Sequence, residues 1–68
     1  MQNDTATDIR AGQVWERRGK VLTHTRFVRG VMNGEVIYQD IFMQTCASTV
    51  DNFRRWTRGA KLVKEGDL

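Results

Sequence analysis

Phe53, Arg54, Arg55, Trp56, Thr57 and Arg58 form the stretch of this chain with the strongest chemical character. Aromatic rings interleaved with arginine can bind nucleic acid, the rings stacking on bases and the guanidinium groups meeting phosphate. Ordinary packing offers a second account. Val50, Phe53 and Trp56 recur every three residues, so their side chains share one helical face and fill a core. Arg54, Arg55 and Arg58 then point outward, and a basic knob remains in either case. A second basic group, Arg17, Arg18 and Lys20, surrounds Gly19 at a turn. These six cations are the candidate binding residues.

Catalytic chemistry has little to work with. A nucleophile, a base and an orienting acid would require His24, the single histidine, to stand beside Ser48 or Cys46 and a buried carboxylate. His24 lies instead in a threonine-rich strand, where a solvated or hydrogen-bonded imidazole is the ordinary outcome. One His and one Cys fall short of the three or four ligands a metal site takes. Gly30 to Gly34 is no phosphate loop, because no Gly-Lys-Ser or Gly-Lys-Thr follows and no helix begins there. Cys46 reads as a small core residue. The expectation is a protein without enzymatic activity, metal or cofactor.

The charge distribution sharpens the reading of the six cations. Over 68 residues the net charge is +3. All 11 Lys and Arg fall between Arg10 and Lys64, together with only Glu16, Glu35, Asp40 and Asp51, so that stretch carries +7. An excess of this size suits an acidic partner, either a protein surface or nucleic acid. Residues 1–8 and 65–68 are polar, without apolar period, and read as unfolded tails. The single domain expected is therefore 9–64, with marginal stability and few dispensable core residues. A lone cysteine suits a reducing compartment. The N-terminus has neither the basic start nor the apolar core of a signal peptide. The longest apolar run, Ile41-Phe42-Met43, is too short to span a membrane. These features predict a cytoplasmic location with no membrane contact.

The elements that must position these residues are mostly strands. Val14 to Arg17 is a short strand ending at the Arg18-Gly19-Lys20 turn. Val21 to Val31 is rich in Val, Thr and Phe, which favour a pleated surface. Simple alternation puts Val21, Thr23, Thr25, Phe27, Arg29 and Val31 on one face, and Leu22, His24, Arg26, Val28 and Met32 on the other. Apolar groups on both faces predict a bend, marked by Gly30. Asn33-Gly34 predicts a type I′ turn, pairing Met32 with Glu35 and Val31 with Val36. Glu35 to Phe42 is the return strand, and Gln44 to Ala47 a weaker fourth. The period then changes to helical over 49–58. Ser48 is expected at the N-cap, Asp51 at the third helical position, and Gly59 as a left-handed C-terminal cap. Phe53 and Trp56 are expected to be buried. Ala60 to Lys64 is the last strand.

The order is four strands, one helical turn and a final strand, around an Asn-Gly hairpin. With the opening Gly12-x-Val14 and the Arg18-Gly19 turn, it resembles SH3-like barrels, including the KOW type. The resemblance spans 9–64 and implies an all-β, five-stranded, partly open barrel with one short helix before the last strand. The chain also resembles small phage and prophage proteins that begin G-x-x-W or G-x-x-Y and end in a short F-x-x-W helix, as Gly12, Trp15, Phe53 and Trp56 stand here. That likeness carries over no site. The function expected is an interaction module, from a phage or mobile element, that docks on a host protein or forms a homodimer. The alternative is a nucleic-acid-binding accessory protein using Arg17, Arg18, Lys20, Arg54, Arg55 and Arg58.

Overall fold

A computed structural model describes residues 8–66. Residues 1–7 and 67–68, read above as parts of the tails, lie outside the described residues. The chain forms β1 (Gln13–Arg18), β2 (Thr23–Met32), β3 (Glu35–Gln39), β4 (Thr45–Thr49), α1 (Val50–Thr57) and β5 (Lys61–Glu65). All five strands are antiparallel neighbours in one sheet, ordered β4-β3-β2-β1-β5. β4 and β5 are its two edges, so the sheet curls without closing. This is the small all-β architecture expected, with a short helix before the last strand. β5 reaches one residue past the expected domain end.

The Asn33-Gly34 turn sets the central register. Asn33 has φ 52° and Gly34 φ 78°, the two positive angles that a type I′ turn requires. Met32 faces Glu35 and Val31 faces Val36. Further along the same pair, Val28 faces Tyr38 but Gly30 faces Ile37, so Arg29 is an extra, bulged residue beside Gly30. The bend expected at Gly30 is this bulge. It also corrects the alternation read from the sequence. One inserted residue inverts the phase, so Val31 joins the face of Val28 and Val36, and Met32 leaves it.

β3 is shorter than expected. It ends at Gln39, because Asp40 closes a loop. Its side chain accepts from the Phe42 amide at 2.8 Å and the Gln44 amide at 3.0 Å, and Met43 takes φ 66°. Ile41, Phe42 and Met43 are carried out to solvent on this loop.

The core is small: Trp15, Val28, Val36 and Phe53 are buried. Tyr38, Val50, Trp56 and Leu62 pack against it half-buried. Phe53 is fully covered as expected, whereas Trp56 is only half-buried, a correction to its reading as a core residue. Cys46 also stands outside the core, half-buried on edge strand β4. Gln13 is the one buried polar residue described, and its amide is satisfied at both ends. It donates to the Asp8 carbonyl at 2.7 Å and accepts from the Arg10 amide at 3.0 Å and Trp15 Nε1 at 3.1 Å. This network ties the entry of the chain to the core.

Two helix ends differ from expectation. Thr49, not Ser48, is the N-cap: its backbone is extended and its hydroxyl accepts from the Asn52 amide at 3.2 Å. The last β4 pair, Glu35 with Thr49, holds the chain extended one residue longer, and the Val50 amide donates to the Gly34 carbonyl at 3.0 Å. At the other end Gly59 is not left-handed. The helix closes by tighter bonds, Arg58 amide to Arg55 carbonyl at 3.3 Å and Ala60 amide to Thr57 carbonyl at 2.9 Å.

Candidate functional site

The β1–β2 hairpin places cross-strand partners on the same face of the sheet. Trp15 faces Arg26 and Arg17 faces His24. All four therefore lie on the concave face that α1 partly covers. Trp15 is buried in the core cluster with Phe53 of the helix, while the row beyond it is left open. The result is a cleft of about 460 Å³ lined by Arg17, Gly19, His24, Thr25, Arg26 and Trp56.

Arg26 is the centre of this cleft. Its guanidinium carbon lies 4.1 Å from the Trp56 ring centroid, 4.4 Å from Tyr38 and 5.4 Å from Phe53. The three rings are themselves in contact. Tyr38 meets Phe53 edge-on at 5.5 Å, and Phe53 lies 5.7 Å from Trp56. A cation over aromatic faces gains roughly 0.5–2 kcal/mol. Burial lowers the pKa of Arg26, Tyr38 and Cys46 oppose that shift, and Arg17 adds to it. Among the described residues no carboxylate contributes. The guanidinium nevertheless stays protonated at any physiological pH, so the cleft holds a fixed, partly desolvated positive charge.

Arg17 is placed by the end of the helix. A Cβ built on Gly59 would lie 3.1 Å from Arg17 Nε and 3.5 Å from Arg17 Nη2. The guanidinium thus rests on the glycine that follows α1, where a cation also meets the negative end of the helix dipole. Gly59 thus serves close contact with Arg17 and not a left-handed cap. Gly19 is constrained in another way: its amide donates to the Leu22 carbonyl at 2.7 Å.

Of the six expected binding residues, only Arg17 lines the cleft. Arg18 faces Thr23 and so falls on the opposite face, and Lys20 is exposed in the hairpin turn. Arg54, Arg55 and Arg58 are exposed on the outer side of α1 and its cap. Sequence reasoning missed Arg26 and treated His24 only as a strand residue. The one signal available was that both shared a predicted face with Val28. His24 stands opposite Arg17, whereas Cys46 and Ser48 are on β4, beyond β3. Among the described residues no three His, Cys, Asp or Glu gather as a metal site, and no helix is long and apolar enough to cross a membrane. No family model matches the chain, and no curated protein or solved structure does so either.

Proposed function

We propose that this chain is a small, non-catalytic binding module that holds anionic groups of a macromolecular partner in the cleft between β1–β2 and the end of α1. One observation carries the reading: the Arg26 guanidinium lies over Trp56, Tyr38 and Phe53, with no carboxylate among the described residues contributing to its pKa shift. A partly buried charge left without a counter-ion is costly. A ligand anion that reaches it recovers that cost and meets donors already oriented. Arg17 and His24 add a second cation and a hydrogen-bonding ring beside it.

Side-chain NMR tests this. Titration with poly-glutamate shifts the Arg26 and Arg17 Nε–H signals and the Trp56 indole, while Arg29, exposed at the bulge, stays still. Arg26→Met abolishes the Trp56 response. Signals of Arg26, Arg17 and Trp56 that do not move at low salt would sink the reading.

A second reading takes the partner as nucleic acid. It is favoured by Arg54, Arg55 and Arg58, which extend the positive surface along the helix that supplies Trp56. Affinity for a random strand would then fall with salt at a log–log slope near −0.7 to −0.9 per phosphate neutralised. Replacing the three helix arginines by Gln would flatten that slope.

A further inference from the structure

We infer that the β4 edge of the open sheet is a self-pairing surface, where a second copy of this chain adds its own β4 antiparallel about a two-fold axis at Ala47. The surface is separate from the cleft and does not rest on its reading.

The backbone supplies the first observation. The Val50 amide donates to the Gly34 carbonyl at 3.0 Å, and the Asp40 amide to the Gln44 carbonyl at 3.1 Å. These bonds flank the β3–β4 ladder, in which Val36 faces Ser48 and Tyr38 faces Cys46. Opposed residues in an antiparallel ladder alternate between bonded and non-bonded pairs. Counting inward from both ends makes Ser48 and Cys46 the bonded residues. The amides of Thr45, Ala47 and Thr49 therefore point away from β3. So do the carbonyls of Thr45 and Ala47, while that of Thr49 opens the helix. Among the described residues no strand pairs with this side of β4.

Residue types supply the second. An exposed edge is ordinarily protected by charge, proline or a bulge. β5, the other edge, carries Lys61, Lys64 and Glu65, and its register with β1 shifts between Val14 and Trp15. β4, Thr45-Cys46-Ala47-Ser48-Thr49, has no such protection. Its chemistry also reads alike in both directions. Antiparallel pairing about Ala47 sets Thr45 against Thr49, Cys46 against Ser48 and Ala47 against itself. Threonine pairs across antiparallel strands are favourable. Four backbone bonds result: two between the Ala47 residues, and one from each Thr49 amide to the Thr45 carbonyl of the other copy. This self-complementarity selects a second copy as the occupant.

Apolar exposure beside the same edge is the third observation. Ile41, Phe42 and Met43 are 58%, 77% and 71% exposed on the loop that Asp40 holds. The same register brings Gln44 level with Val50 of the second copy, so the loop lies along the start of that copy's α1. One pairing thus satisfies a bare ladder and shields an apolar patch. Adding a five-residue strand makes a small interface, so the dimer is expected to be reversible.

Sedimentation of the full chain under reducing conditions tests the inference. At about 100 μM, suited to a small interface, the mass is expected to approach twice 7.9 kDa. Ala47 is exposed, so Ala47→Lys leaves the monomer fold intact, sets like charges face to face and returns the mass to 7.9 kDa. Ala47→Pro does the same by removing an amide that β3 does not use. Amide NMR spectra check the fold of both, and Ala47→Lys alone decides if the proline variant unfolds. Ser48→Cys gives a covalent readout. It puts a second thiol opposite Cys46 of the other copy, at about 4.5 Å between Cα atoms, within disulfide range. Mild oxidation then yields a covalent dimer, which Ala47→Lys in the same chain suppresses. A wild-type mass of 7.9 kDa at this concentration overturns the inference. A dimer that survives Ala47→Lys overturns the β4 edge. A mass that grows beyond two copies overturns the two-fold arrangement in favour of head-to-tail pairing of β4 with β5.

Discussion

The Arg26 guanidinium lies 4.1 Å from the Trp56 ring, so one residue of β2 and one of α1 together form the floor of the cleft. Tyr38 at 4.4 Å and Phe53 at 5.4 Å complete the aromatic surroundings of the guanidinium. The Arg26–Trp56 pair links the packing of the helix to the charge of the site.

Trp56→Ala is expected to lower stability by about 2–3 kcal/mol, less than loss of a fully buried ring, and to weaken anion binding as well. Trp56→Phe keeps most of both. Urea denaturation and the Arg26 Nε–H signal measure the two effects separately. Full stability in the alanine variant would show that the helix holds without this contact.

Arg26→Met should leave stability within about 1 kcal/mol of wild type while abolishing anion binding. The methionine keeps the apolar stem over the rings and removes both the desolvation cost and the cation–π gain. Burial lowers the folded pKa of Arg26, so the unfolded chain binds the proton more tightly. Stability from this group therefore rises only as pH climbs through the folded value, and it stays flat at physiological pH. A stability difference between wild type and Arg26→Met that varies between acid and neutral pH would contradict this.

Gln13→Ala removes the acceptor of Trp15 Nε1 and the donor to the Asp8 carbonyl in a fully buried setting. A loss of about 2–3 kcal/mol is expected. Hydrogen exchange at the Arg10 amide, which also bonds Gln13 at 3.0 Å, should accelerate by the same free energy as the global change or more.

Glycine positions separate turn strain from open space. Gly34→Val forces a β-branched residue to φ 78° and should cost more than about 1 kcal/mol. Gly30→Ala meets nothing within 4 Å and has no positive φ, so its effect stays near zero. Met43→Gly relieves the left-handed backbone at φ 66° and should gain roughly 0.5–1 kcal/mol. Thermal melts of the three variants rank them; equal melting temperatures for Gly34→Val and Gly30→Ala would show that the turn is not type I′.

The element order, the Asn33-Gly34 hairpin with its register, the helix burying Phe53 and the concentration of positive charge were all legible in the sequence. Each rests on signals between near neighbours: a φ preference, a short period, a composition. The cleft was not. Arg26 and Trp56 are far apart along the chain, and nothing local distinguishes Arg26 from Arg18 or Arg29. Their fates differ because cross-strand pairing puts Arg26 beside Trp15, because the bulge at Arg29 shifts the phase of β2 by one residue, and because α1 lies over the concave face. The helix ends were likewise decided by contacts at a distance. β4 pairing moved the cap from Ser48 to Thr49, and the approach of Arg17 gave Gly59 a role in close packing in place of a left-handed turn. Local chemistry selected the elements; the register between strands and the covering helix selected which cations share a site.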